Sequence, residues 1–198
     1  MKKYVSLLSV ALLFVFTPAV HAAVSPLAVS LFPPAQFPPS DFNVTGLRLG
    51  ILGSHRNMYG IDIGAIGNMT EQKFTGIAVA GIFNATNGMT TAIGTQLAGI
   101  ANVNNNKTNV YGLQLALVSN YNKAESSVVG LQFALVNLSS FTNIYGFQVG
   151  LYNTARVVRG FQIGLINVTD SLHGIQIGLL NFHHQGTFVV SPIINIGF

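Results

Sequence analysis

The chain has 198 residues, of which 49% are apolar and only 7% are Asp, Glu, Lys or Arg, against about a quarter charged in an ordinary globular domain. Its aliphatic and aromatic content excludes disorder, and the absence of cysteine excludes disulfide staples, thiolate metal sites and cysteine nucleophiles. The net charge is +4, but no run or face gathers Lys and Arg, so no nucleic-acid partner is expected.

Residues 1–22 read as an address. Lys2 and Lys3 precede an apolar run from Val5 through Phe16, Pro18 breaks that run, and Val20-His21-Ala22 follows with small residues at the positions signal peptidase inspects. The pattern predicts a secretory signal removed from the mature chain. The run is short for an anchor, since a bilayer span takes roughly 20 residues. Without Lys2 and Lys3, seven basic residues remain against five acidic ones.

Residues 23–41 form a proline-rich arm. Pro26, Pro33, Pro34, Pro38 and Pro39 exclude a helix and remove ladder donors. A short strand is predicted over Leu27–Phe32, followed by an extended polyproline-like stretch from Phe32 to Ser40. The arm reads as a spacer or a collar on the rest.

From 42 to 198 the chain repeats one unit nine times. Gly112-Leu113-Gln114-Leu115-Ala116-Leu117 is a clear copy, and others carry Gly130 and Gln132, Gly146 and Gln148, Gly160 and Gln162, and Gly174 and Gln176. Weaker copies begin at Gly46, Gly60, Gly76 and Gly94, and all but the first end in asparagine seven or eight residues later (Asn68, Asn84, Asn102, Asn120, Asn137, Asn153, Asn167, Asn181). The leading glycines are spaced 14, 16, 18, 18, 18, 16, 14 and 14. Such a period governs the fold.

Within a unit the residues alternate with the period of a strand. Leu113, Leu115 and Leu117 lie on one face, and Gly112, Gln114 and Ala116 on the other. Every spacing is even, so no step between units exchanges the two faces. The segments between units, such as Asn104-Asn105-Asn106-Lys107, are turns. The fold class is all-β.

Two architectures accommodate the pattern. In an antiparallel outer-membrane β-barrel of about ten strands, built from one-strand repeats, the aliphatic face meets lipid. Tyr59, Tyr111 and Tyr145 then sit at the interfacial girdle, and Gly, Ala and Gln line a narrow interior. In a parallel β-solenoid each unit is one rung, the aliphatic face is the dry core, and Gln148, Gln162 and Gln176 lie outside in water-exposed ladders.

The barrel is the leading expectation, on three grounds. The run Phe188, Val190, Pro192, Ile194, Ile196, Phe198 alternates to the last residue. It resembles the carboxy-terminal β-signal read by the outer-membrane barrel-assembly machinery, which makes Phe198 a membrane-insertion signal. The units hold almost no charge beyond Arg48 and Asp62. The residue two before most glycines is also apolar (Val110, Val128, Ile144, Val158, Leu172), an exposure costly in water.

The units G-[apolar]-Q-[apolar]-G-L-[apolar]-N, from Gly46 to Asn181, are also similar to those of uncharacterised secreted bacterial surface-repeat proteins. Arg48, Asp62 and Ala78 stand where glutamine is usual. The resemblance implies an envelope location and no activity. The expected role is thus structural or surface-interacting in the outer membrane, with membrane lipid and the assembly machinery as partners. The alternative is a secreted or cell-surface solenoid acting as an adhesin or by self-association.

Candidate chemistry is thin, and neither catalysis nor a cofactor is expected. His183 and His184 are adjacent, so on a strand they point oppositely and do not chelate together. Asp41, Asp62, Glu71, Glu125 and Asp170 are scattered, with no pair spaced for acid–base work. Arg48 and Asp62, central on neighbouring strands, are expected to form an internal ion pair. The N-x-S/T sequences at Asn43, Asn68, Asn84, Asn106, Asn137 and Asn167 read as turn chemistry at strand ends.

Overall fold

A computed structural model describes residues 23–198, so the segment read as an export signal lies outside the described residues. These residues contain strands and turns and no α-helix. The strands are β1 (Val24–Phe32), β2 (Ala35–Phe37), β3 (Asn43–Ala80), β4 (Phe83–Thr86), β5 (Met89–Ala98), β6 (Ala101–Asn104), β7 (Thr108–Ala116), β8 (Ser119–Asn122), β9 (Ser126–Phe133), β10 (Val136–Val149), β11 (Tyr152–Ile163), β12 (Ile166–His183) and β13 (Val190–Gly197).

The pairing overturns the barrel. β3, β5, β7, β9, β10, β11 and β12 stack in parallel, and from β5 onward glycine lies on glycine and glutamine on glutamine. Gly112 pairs Gly130, Gly146 pairs Gly160, and Gln148 pairs Gln162. A second parallel ladder joins β4, β6, β8 and β10 through Asn84, Asn102, Asn120 and Asn137. Each repeat therefore supplies two strands of one coil, and the molecule is a parallel β-solenoid. Even spacing is its signature. The glycine strands gain or lose two residues per coil and keep their parity, which holds the same face inward along each strand.

The faces are the reverse of those expected for a solenoid. Gln96, Gln114, Gln132, Gln148, Gln162 and Gln176 are all buried, at 0–1% exposure. Leu113, Phe147, Phe161 and Ile177 are 36–46% exposed. The small, amide-bearing face is the interior. The apolar residues two before the glycines share its parity, so Val110, Val128, Ile144, Val158 and Leu172 are not a second exposed face. With Val44, Met58, Phe74 and Ala92 they form one buried apolar column along the axis.

The leading glycines are explained by backbone shape. Gly112 has φ +125°, and seven of its counterparts, from Gly60 to Gly174, lie between +100° and +151°, a region essentially closed to residues with a Cβ. Four positions on, a small residue sits at the entry to the tight corner: Ala98, Ala116 and Ala134, then Gly150, Gly164 and Gly178. A Cβ on Gly150 would run into the Ala134 carbonyl oxygen and the side chains of Asn137 and Asn153.

Both ends are capped. β1 adds in parallel to β3, and β2 folds back antiparallel on β1. The strand is longer than Leu27–Phe32, and the stretch after it is a short hairpin rather than an extended arm. Its prolines withhold the donors that an added strand would need, which blunts the edge. At the other end β13 lies antiparallel on β12, pairing Gln176 with Asn195 and Gly174 with Gly197. The alternation read as a barrel signal is that of this cap, with Asn195 and Gly197 turned inward and Ile194, Ile196 and Phe198 outward.

Candidate functional site

Two amide ladders run through the interior. In the first, each glutamine from Gln114 to Gln176 donates from Nε2 to Oε1 of the glutamine one rung earlier, at 2.7–2.9 Å. In the second, each asparagine from Asn68 to Asn167 donates from Nδ2 to Oδ1 of the asparagine one rung later, at 2.8–3.0 Å. The ladders therefore run in opposite senses. Backbone carbonyls, which only accept, fix both orientations. Asn137 also donates to the Val149 carbonyl at 2.9 Å and Gln148 to the Thr154 carbonyl at 3.0 Å.

This satisfaction is what allows so polar an interior. A buried amide without partners costs about 1–3 kcal/mol, whereas here amide chains extend along the axis at the rung rise of about 4.8 Å. In the wider coils extra amides fill the space. Gln96 and Asn104 exchange hydrogen bonds at 3.2 Å, as Gln114 and Asn122 do at 3.1–3.2 Å. At the carboxy-terminal cap Asn195 donates to Oε1 of Gln176 at 3.1 Å and continues the ladder.

The asparagines expected at turns are therefore strand residues of the core. Asn68, Asn84, Asn137 and Asn167 are 0–4% exposed, so the turn reading of their sequons is corrected. The signal for this lay in the sequence, where they recur as regularly as the glycines.

At the amino-terminal end the glutamine column is replaced by Arg48, Asp62 and Ala78. Arg48 and Asp62, each 1% exposed, form a bidentate pair, Nε to Oδ1 at 2.7 Å and Nη2 to Oδ2 at 2.5 Å. This is the internal ion pair expected from their places on neighbouring strands. Nη1 of Arg48 also donates to the Met69 carbonyl at 2.9 Å and lies 3.2 Å from Nδ1 of His55. Nε2 of His55 lies 3.0 Å from the Pro38 carbonyl, so a neutral ring protonated at Nε2 satisfies both neighbours. Burial, then the Arg48 charge, holds His55 down at about 4. Burial pushes Asp62 above the usual carboxylate range against the pull of Arg48.

His183 and His184 do point oppositely. His183 is buried and accepts from the Leu172 N–H at 3.1 Å, while His184 is exposed beside Asp170 at 3.0 Å. Burial lowers the His183 pKa, helped by His173 and His184. Among the described residues no three His, Cys, Asp or Glu side chains are placed to hold a metal ion.

The outer surface is divided. Counting from each leading glycine, positions −1, +1, +3 and +5 face outward on one broad sheet. Among them Ile61, Ile63, Ile93, Leu97, Leu113, Leu117, Phe133, Leu135, Phe147, Leu151, Leu165 and Leu179 are all exposed. Phe147 and Phe161 stack on this face with ring centroids 5.1 Å apart. Lys107, Lys123 and Glu125 instead lie in the loops that lead to the next glycine, and Arg156 and Asp170 lie in the stretches of β11 and β12 that precede theirs. The tyrosines read as a membrane girdle mark the border between these regions. Lys73 sits 5.8 Å from the Tyr59 ring centroid and Arg159 sits 5.4 Å from that of Tyr145.

A furrow of about 350 Å³ crosses the apolar face along the axis. Its floor is Ala134, Gly150, Gly164 and Gly178, and its walls include Phe133, Leu135, Val149, Leu151, Ile163 and Leu165. A second hollow over Ala98 and Ala116, between Leu97, Leu115 and Leu117, continues the same line and shares Phe133. No family model, curated protein or solved structure matches the chain.

Proposed function

We propose that the chain is an exported surface protein that acts without catalysis, as a solenoid presenting an apolar face for adhesion or self-assembly. One observation carries the reading. Aliphatic and aromatic side chains that a water-soluble protein buries are outside, repeated rung after rung on one broad face whose central rungs carry no charge, while Lys107, Lys123 and Glu125 lie in the loops beyond it. An exposed apolar area of this extent marks an interaction surface. The buried amide ladders support the same reading, since they hold the rungs in fixed register without using the apolar residues, which remain available for contact. Residues 1–22 supply the export signal, and the repeat's similarity to surface-repeat proteins agrees with an envelope location. Stacked parallel rungs are not the closed ring of strands that a spanning barrel needs in lipid, so surface attachment replaces integral insertion.

The test is expression in a bacterial host followed by fractionation and protease treatment of intact cells. Retention at the envelope with loss on protease treatment is expected. Recovery of the whole protein as a soluble species in the medium would refute the reading.

A further inference from the structure

We infer that the occupant of the apolar face is a second copy of this chain, docked face to face along the furrow. The inference rests on the surface-protein reading above and names its partner.

Three observations carry it. The first is area. From the rung of Gly46 to that of Gly174 there are eight steps of about 4.8 Å, and the outward positions −1 to +5 span about 20 Å of strand, giving about 760 Å² per copy. A stable protein–protein interface buries about 800 Å² per partner, so the face has the size of one complete interface.

The second is commensurate spacing. Leu117, Leu135, Leu151, Leu165 and Leu179, at 48–67% exposure, make a ridge with one leucine per rung beside the furrow floored by Ala98, Ala116, Ala134, Gly150, Gly164 and Gly178. Another solenoid of the same rise keeps its contacts in step with these rungs along the whole face. A partner of different periodicity would match at only one or two rungs. The result is a dry, interdigitated contact of the steric-zipper kind.

The third is chemistry. The furrow floor offers no free donor, because the Gly150 and Gly164 N–H groups donate to the Ile163 and Ile177 carbonyls at 3.0 and 2.9 Å. A strand added by backbone pairing has nothing to bind here. The central rungs of the face carry no charge, and Arg159 and His173 of position −1 lie toward one end, so two copies meet without like charges at the centre of the contact. Two-fold symmetry is the closed arrangement for such a self-complementary surface.

The symmetry makes the test specific. Gly112 leads the fifth of nine rungs, so with the two solenoid axes antiparallel, the arrangement inferred here, Leu113 and Leu115 face their own counterparts across the two-fold. The chain has no cysteine, so a single introduced thiol reports alone. Purified Leu113→Cys and Leu115→Cys proteins should form disulfide-linked dimers under mild oxidation, while Lys123→Cys, on the charged edge, should not. Wild-type protein should sediment as a dimer at micromolar concentration, and Leu113→Asp should sediment as a monomer with unchanged circular dichroism. The inference is overturned by a wild-type monomer, by equal crosslinking at position 123, or by a monomer that instead floats with phosphatidylcholine vesicles. Any of these with the protein still held at the cell surface would remove the second copy and leave the surface reading standing. Loss of surface retention would remove that reading itself.

Discussion

Gln162 donates from Nε2 to Oε1 of Gln148 at 2.7 Å, and both side chains are fully buried. Gln148 in turn donates to Gln132 at 2.8 Å and to the Thr154 carbonyl at 3.0 Å, so one residue ties two rungs and both sheets. Replacing it by leucine keeps the bulk but strips partners from Gln132, Gln162 and Thr154. At about 1–3 kcal/mol for each buried group left unpaired, Gln148→Leu should cost about 2–5 kcal/mol. Val149→Thr, one residue along and outward, should stay within about 0.5 kcal/mol. Urea denaturation of the two variants measures the contrast. Equal effects at 148 and 149 would contradict the inward amide face.

Two glycine columns should fail for different reasons. Gly160 has φ +135°, so Gly160→Ala meets backbone strain of about 1–3 kcal/mol, besides a clash with the Gly146 carbonyl. Gly150 carries no such φ. Gly150→Ala is opposed only by crowding against the Ala134 carbonyl and the ladder asparagines, and overpacking costs about 1–3 kcal/mol. Shortening its neighbour should separate the two. Asn137→Ala relieves crowding at Gly150, so the double variant should lose less than the sum of the singles, whereas the same pairing with Gly160→Ala should be additive. Thermal melts of wild type, the three single variants and the two double variants decide this.

The repeat, its strand period and the even spacing of its leading glycines were legible because they follow from period and spacing alone. Which face lies inside was read correctly only with the wrong architecture: the barrel put the amides inward, and the solenoid alternative put them outward. Hydrophobicity assigns Leu113 and Leu115 to a core, and that assumption holds only if burial of apolar area outweighs satisfaction of amides. Here Gln114 and Asn120 find partners at every rung, which removes the usual penalty for burying them. The small residues Gly112 and Ala116 let the backbones approach closely enough for those partners to meet. Two clues did point inward. Val110 shares the parity of Gln114, and Asn120 recurs as strictly as the glycines. The ion pair of Arg48 and Asp62 was readable because both occupy the glutamine column, but the part played by His55 was not. That residue reaches Arg48 from the one unit that lacks its asparagine, a contact that no spacing in the repeat encodes.

Removing one partner of the buried Arg48–Asp62 pair should hurt more than removing both. Arg48→Met leaves a carboxylate at 1% exposure without its counter-charge and should cost about 3–5 kcal/mol, whereas Arg48→Met with Asp62→Leu restores a neutral, filled column and should lie much closer to wild type. A double-mutant cycle in urea gives the coupling directly. A double variant as unstable as the sum of the singles would show that the pair does not act as a unit.

Acid should weaken the amino-terminal end through His55. Its pKa is about 4 in the fold against 6.5 ordinarily, so the unfolded chain binds a proton that the folded chain refuses between those values. Stability is therefore full above pH 6.5, falls as the pH drops toward 4, and loses no more from this group below that. At 1.36 kcal/mol per unit the loss reaches about 3 kcal/mol at most. Asp62 contributes with the opposite sign, because its raised pKa means that acid relieves the cost of burying its charge. His183, lowered like His55, adds a loss of the same sign. Both remain in a His55→Gln variant, whose amide can accept from Arg48 and donate to the Pro38 carbonyl without titrating. The difference between wild type and that variant thus isolates His55. Urea midpoints from pH 7.5 to 4 should show the wild type falling more steeply below pH 6.5. Parallel curves would mean that His55 takes up its proton in the folded state as readily as in the unfolded chain.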